Sequence, residues 1–224
     1  MPAAFSHREF PRSLAGGASK SQWRKWLRQQ ATARYASQGQ AYIGESAIFA
    51  VLKRVEDFPS SASVVVYQAL PRELSLAPLL PHLFARQLQV WVPVVCKTAP
   101  GVSFSSLPTG FRLLEEPHTG VSSQREDADR VGSCEVPPPG VGLEQIAARL
   151  VLVPALGVDA SGVRLGQGGG WYDRELSYLP AQVPVVGCVP SSQFLPSGFL
   201  PRAGHDHPVN AVATESGFSP LSGW

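Results

Sequence analysis

The sequence predicts an α/β fold built on a mostly parallel sheet, and three observations carry that expectation. Short β-branched runs at 63–67, 88–95, 150–156, 183–189 and 209–215 have the length and composition of buried strands. The first two are joined through an apolar pattern at Leu76, Leu79 and Leu80, the strand–helix–strand order of a parallel pair. The third run leads through a glycine-rich connection into 172–176, which can continue as helix.

Residues 1–18 form a polar, glycine-containing leader expected to be flexible. From Ser19 the stretch SKSQWRKWLRQQATARYASQ reads as a helix, with Ser19 or Ser21 as N-cap and Gly39 as terminator. Trp23, Leu27 and Ala31 recur at helical spacing and are expected to face the core. Lys20, Arg24 and Arg28 form a basic stripe on the same helix, and such a stripe taken alone reads as a solvated face. A second helix is expected over 42–55, burying Tyr42, Ile43, Ala47, Ile48, Val51 and Leu52. Residues 68–72 connect at the C-terminal end of the first strand, where open α/β sheets bind ligands. Glu73 is expected in the first turn of a helix through Leu76, Leu79 and Leu80 that Pro81 interrupts, where a carboxylate suits the helix dipole.

A hairpin-like excursion follows over 101–117, with Gly110 at a turn. The charged and then Pro-rich stretch 118–142 has no periodicity and reads as an exposed loop. After the 183–189 strand a loop runs around Gln193, and His205-Asp-His207 precedes the last strand. Adjacent positions of an extended chain point to opposite faces, and no further ligand cluster accompanies the two histidines, so this is a weak transition-metal motif.

The glycine-rich connection is the centre of the functional reading. Gly166, Gly168, Gly169 and Gly170 leave almost no side chain there, so backbone N–H groups can close on a ligand and positive φ costs nothing sterically. A phosphate is the natural guest, with Arg164 nearby to add a full positive charge. The loop is not a Walker phosphate loop, because Trp171 stands where that motif needs Lys after its last Gly. Nor is it a good dinucleotide fingerprint, since a spacer separates it from the strand and no ribose-binding acid follows at the right distance.

Composition narrows the partners. Over 224 residues the net charge is +2 with 16% charged residues, and no basic run appears, which argues against nucleic acid and for small-molecule partners. Cys96, Cys134 and Cys188 are odd in number, widely spaced and free of CxxC, against both a disulfide framework and a structural zinc site. No apolar stretch approaches the roughly 18 residues of a membrane span. The expectation is a cytoplasmic monomer with no membrane partner, one domain over 19–224, reduced cysteines and a small ligand.

Two segments, Val153-Pro-Ala-Leu-Gly-Val-Asp159 and Gly162-Val-Arg-Leu-Gly-Gln-Gly-Gly-Gly-Trp-Tyr-Asp-Arg174, resemble the signature of the 5-formyltetrahydrofolate cyclo-ligases, also called methenyltetrahydrofolate synthetases. The resemblance implies a three-layer sandwich like the NagB/RpiA/CoA-transferase-like fold. It implies ATP as co-substrate, held by Lys20, Arg24, Arg164, Gly166, Gln167, Gly168, Gly169, Gly170, Trp171, Tyr172 and Asp173. Lys20 and Arg24 carry the family's K-x-x-x-R spacing, whereas Arg28 stays a surface residue. Glu73 follows the first strand as in the family's D-E-[IVL] corner, with Arg72 replacing the usual Asp, and is implied to bind folate. Phe104, Phe111 and Glu116, before an E-P pair, are implied to line the pteridine pocket, with Tyr172 shaping the ring site. Asp173, and Asp206 in an H-D pair before Val209-x-x-Val212-x-Thr214-Glu215, are implied to hold Mg²⁺. Arg149 stands where the family commonly has Asp.

The implied reaction converts 5-formyltetrahydrofolate and ATP to 5,10-methenyltetrahydrofolate, ADP and phosphate, with Arg164, Lys20 and Tyr172 as the catalytic groups. It requires positioning and charge neutralisation rather than a nucleophile, and no Ser-His-Asp or Cys-His arrangement is present. Two alternatives stay open: a non-catalytic folate or nucleotide binder of the same fold, and a dinucleotide-dependent oxidoreductase. Formation of the methenyl product separates the first from the enzyme, and retention of NAD(H) without ATP would favour the second.

Overall fold

The computed structural model describes residue 14 and residues 17–95, 108–115 and 140–224. Most of the expected leader and of the 118–142 loop lies outside these residues, as do Cys96, Phe104, Glu116 and Cys134. A seven-stranded sheet is formed by β1 (Ser63–Val65), β2 (Gln89–Val95), β3 (Pro108–Leu113), β4 (Ala148–Pro154), β7 (Val185–Cys188), β9 (Ala211–Ala213) and β10 (Phe218–Pro220). Its order is β10-β9-β7-β4-β1-β2-β3. The five inner strands are mutually parallel, and β3 and β10 close the two edges antiparallel.

The period-two alternation of the strands sorts their side chains into two layers. Val64, Val66, Leu150, Leu152, Val186, Cys188, Ala211 and Ala213 face α2 (Glu45–Arg54) and α3 (Leu80–Ala85), packing with Ala47, Val51 and Leu83. The intervening Val65, Val151, Val153 and Val212 face the other way, against Trp171 and Leu176 of α4 (Trp171–Leu176). Helices therefore cover both faces of the sheet.

A second sheet, in the order β6-β5-β8, joins β6 (Arg164–Leu165), β5 (Gly157–Asp159) and β8 (Phe194–Leu195). It carries its own apolar cluster, in which Leu156, Val163, Leu165, Leu195 and Leu200 receive Trp23 and Leu27 of α1 (Lys20–Gln38). The β5–β6 hairpin is tied by Asp159, a carboxylate with no solvent exposure. Its Oδ1 accepts from the amides of Ser161 (3.0 Å) and Val163 (3.1 Å) and from the Ser161 hydroxyl (2.5 Å), and Oδ2 accepts from the Leu200 amide at 3.1 Å.

Helix α1 has the expected ends. Ser19 and Gln22 form a reciprocal capping box, and Gly39, at φ 73°, returns its amide to Tyr35 O. Its buried residues are Trp23, Leu27 and Ala31, as their spacing predicts.

Three local expectations are corrected. Helix α2 begins at Glu45 rather than near 42, because the Ile43 and Gly44 amides are committed to Ser75 O and Thr214 O, and Tyr42 is 53% exposed. A Cβ on Gly44 would lie 2.3 Å from Glu215 O, so this crossing requires glycine. Residues 73–79 are not helical; Pro81 sits in the first turn of α3 instead of interrupting it, since its missing N–H is harmless there. Gly110 lies within β3, not at a turn, and its close approach to Gly140 leaves 2.3 Å between a built Cβ and the Gly140 carbonyl oxygen.

Candidate active site

The glycine turn, residues 166–170, leaves the small sheet after β6 and enters α4. Its polar groups are sorted by direction. The carbonyls of Gly166, Gln167, Gly169 and Gly170 accept from Arg24 Nε (3.0 Å), Arg28 Nη2 (2.7 Å), Arg174 Nη1 (3.2 Å) and the Arg174 amide (3.1 Å). The amides of Gln167, Gly168, Gly169 and Gly170 donate to no acceptor among the described residues. Because each peptide unit is planar and trans, holding one carbonyl outward turns the next residue's N–H the opposite way. Gly168 at φ 111° and Gly170 at φ 64° adopt conformations that favour glycine. The result is a row of free donors, the requirement for gripping an anion.

Three cations from two elements lie against it, and a fourth stands one helical turn from Arg24. Lys20, Arg24 and Arg28 project from α1, and Arg164 from β6. Arg28 is exposed, as the sequence predicts, and from the surface it grips Gln167 through both backbone and side chain, with Nε 3.3 Å from Gln167 Oε1. Only the i, i+4 repeat with Arg24 pointed to this in the sequence. Lys20 Nζ donates to both oxygens of Asp206, at 2.6 and 2.5 Å. Burial works to raise the Asp206 carboxyl, but the Ala203 amide and the Lys20 ammonium outweigh it and hold the group below its ordinary 3.8. Arg164, with its side chain 2% exposed, donates from Nη2 to Asp173 Oδ1 at 2.6 Å and lies 5.7 Å over the Tyr172 ring. Its Nε is buried without a partner among the described residues.

Beside the turn lies a cavity of about 140 Å³ whose lining includes Arg28, Arg72, Glu73, Leu156, Gln167 and Gln193. It sits past the C-terminal ends of β1, β4 and β7, where a parallel sheet binds ligands. Glu73 reaches it from a stapled corner. Its Oε2 accepts from the Leu70 amide, its own amide donates to Leu70 O, and Gln40 and Arg34 hold the Leu70 and Arg72 carbonyls. Phe111 does not line the cavity. It is 2% exposed, with its ring 5.0 Å from Trp171 in the core behind the turn.

Burial raises the Glu73 carboxyl above its ordinary 4.5, with the Leu70 N–H pulling weakly the other way. Burial, with Glu73 as the next contribution, also pushes the Tyr172 phenol upward against the opposing pull of Arg164. Tyr172 is therefore a neutral hydroxyl at any working pH. Between the ordinary and the raised Glu73 values the folded chain binds the extra proton, so the carboxylate costs stability as pH rises through this window. Glu73→Gln should therefore melt higher than the native protein at about pH 7 and no higher at about pH 4. Equal differences at both values would reject burial as the cause.

A parallel sheet ending at a row of amides unpartnered among the described residues, bordered by arginines and opening on a cleft with a raised carboxyl, is the ligand-site architecture of an α/β enzyme. The family can then be named from comparison. Residues 17–215 match the 5-formyltetrahydrofolate cyclo-ligase family, and the chain belongs to it. A 5-formyltetrahydrofolate cyclo-ligase of Mycolicibacterium smegmatis is 33% identical over 156 residues, covering 69% of this chain and 74% of that protein. The fold is shared with two solved structures. The 5,10-methenyltetrahydrofolate synthetase of Aquifex aeolicus has a TM-score of 0.54 at 24% identity, over 91% of this chain and 93% of its own. That of Mycoplasma pneumoniae has a TM-score of 0.55 at 17% identity, over 88% and 99%. Among the described residues no helix is long and apolar enough to cross a membrane, and no three His, Cys, Asp or Glu side chains cluster to hold a metal.

Proposed function

We propose that this protein closes the ring of 5-formyltetrahydrofolate to 5,10-methenyltetrahydrofolate with ATP, releasing ADP and phosphate. The observation that carries the reading is the glycine turn, whose carbonyls are held outward while its amides stay free. Those amides receive the triphosphate, Lys20, Arg24 and Arg164 neutralise it, and the cavity beside Glu73 receives the pterin. The formyl oxygen attacks the γ-phosphorus as the bond to the β-phosphate oxygen breaks. N10 then attacks the formyl carbon and loses its proton, and phosphate departs with the former formyl oxygen. No residue needs to act as a covalent nucleophile, because the barrier is lowered by alignment and charge. Tyr172, kept neutral, can donate from its hydroxyl without adding charge.

Mg²⁺ commonly binds through one or two carboxylates together with substrate phosphates, neutralising the β- and γ-oxygens. Asp173 fits that role, since Oδ2 has no partner among the described residues and its side chain is 21% exposed. Asp206 does not fit, because Lys20 engages both of its oxygens and the Ala203 amide engages one. We assign Asp206 the orientation of Lys20 instead. With no protein-only ligand cluster among the described residues, calorimetry should register heat for Mg·ATP and none for Mg²⁺ alone. A strong Mg²⁺ isotherm without nucleotide would restore Asp206 as a ligand.

The direct test is growth of the methenyl absorbance when protein, 5-formyltetrahydrofolate, ATP and Mg²⁺ are mixed; binding of both substrates without product would leave a non-catalytic binder. Lys20→Ala should raise the KM for ATP by about tenfold, the scale of a lost charge-assisted hydrogen bond. An unchanged KM would return Lys20 to a structural role with Asp206.

A further inference from the structure

We propose that Arg28 is a positioning residue for the reaction, and that it presents the Gln167 carboxamide to an acceptor oxygen of the substrates. The inference rests on the cyclo-ligase reading and goes beyond it, because it gives a role to a side chain outside the K-x-x-x-R pair and a donor function to Gln167.

Arg28 touches Gln167 twice, from Nη2 to the backbone oxygen at 2.7 Å and from Nε to Oε1 at 3.3 Å. An arginine can only donate, so the carboxamide oxygen is the atom turned toward α1. Nε2 is thereby turned away, and it has no acceptor among the described residues. Gln167 also lines the 140 Å³ cavity with Glu73 and Gln193. The same grip fixes the peptide plane between Gln167 and Gly168, which holds the Gly168 amide opposite to the Gln167 carbonyl. Arg24 does the equivalent for the Gln167 amide through Gly166 O at 3.0 Å. A turn of consecutive glycines has little rigidity of its own, and the two arginines supply it from a packed helix. The acceptors that the reaction brings to this place are the phosphoryl oxygens of ATP and the formyl oxygen. A neutral amide N–H donor suits either, and is most useful to the oxygen that gains charge during transfer.

A double-mutant cycle over Arg28→Ala, Gln167→Ala and the pair tests this, reading kcat, KM for ATP and the thermal midpoint. Each single change should lower kcat/KM for ATP roughly tenfold, as loss of a hydrogen bond to a charged group does. The double variant should be no worse than the poorer single one, with all midpoints close to the native value. Arg28→Lys keeps the charge but not the planar fork, and should recover none of the loss. Multiplying effects, recovery by Lys, or midpoints that fall in step with activity would each overturn the proposal. Absence of turnover in the native protein would instead remove the cyclo-ligase reading beneath it.

Discussion

Replacement of Arg164 by Met is expected to lower kcat/KM for ATP by about 10³-fold, the range reported for removing a preorganised charge aimed at a transferring phosphoryl group. The side chain is 2% exposed and paired only with Asp173 among the described acids, and its Nε has no partner among the described residues. Keeping a guanidinium so dry costs several kcal/mol of hydration that one ion pair does not fully offset. An unpartnered donor in that position is available to a ligand whose charge grows during the reaction. Methionine preserves most of the packing volume, and Asp173, at 21% exposure, can be hydrated once its partner is gone. Urea unfolding should therefore change little while turnover collapses. A variant retaining more than about a tenth of native kcat/KM would take Arg164 out of the machinery.

Asp159→Ala should have the largest effect on stability, a loss of roughly 3–5 kcal/mol read from the urea midpoint. Four hydrogen bonds converge on this fully buried carboxylate, and its removal strands the buried Val163 and Leu200 amides, each costing about 1–3 kcal/mol when unsatisfied, while the exposed Ser161 turns its amide and hydroxyl to water. Asp159→Asn keeps one acceptor oxygen but presents an amide to the Leu200 N–H, and should lose about 1–3 kcal/mol. Because the hairpin also carries Arg164, KM for ATP should rise with either change. A loss below about 1 kcal/mol for Ala would mean that water replaces the carboxylate.

Regular elements were legible where the period was long enough to read. Trp23, Leu27 and Ala31 fell on the buried face of α1 because five helical turns repeat the signal, and the five parallel strands each carried an apolar run. The small sheet was not legible, since two- and three-residue strands such as β5, β6 and β8 are too short to display alternation. The 73–79 segment misled because its leucines do face the core, but from turns rather than from a helix. At the site, the glycines and Arg164 announced themselves by local pattern. The pairings Arg28–Gln167 and Lys20–Asp206 join residues 139 and 186 positions apart, and no local rule reaches that far.

The cluster that seats α1 on the small sheet is distinct from the two that sandwich the seven-stranded one. Local opening of such a unit requires less free energy than global unfolding. Amide exchange should thus find α1 and the β5–β6 hairpin less protected than β4, with nucleotide slowing exchange in α1 before it slows the sheet. Three of the four cations at the candidate site ride on that helix, so loosening one small hydrophobic seam would move them together while the two clusters packed on the main sheet stay intact.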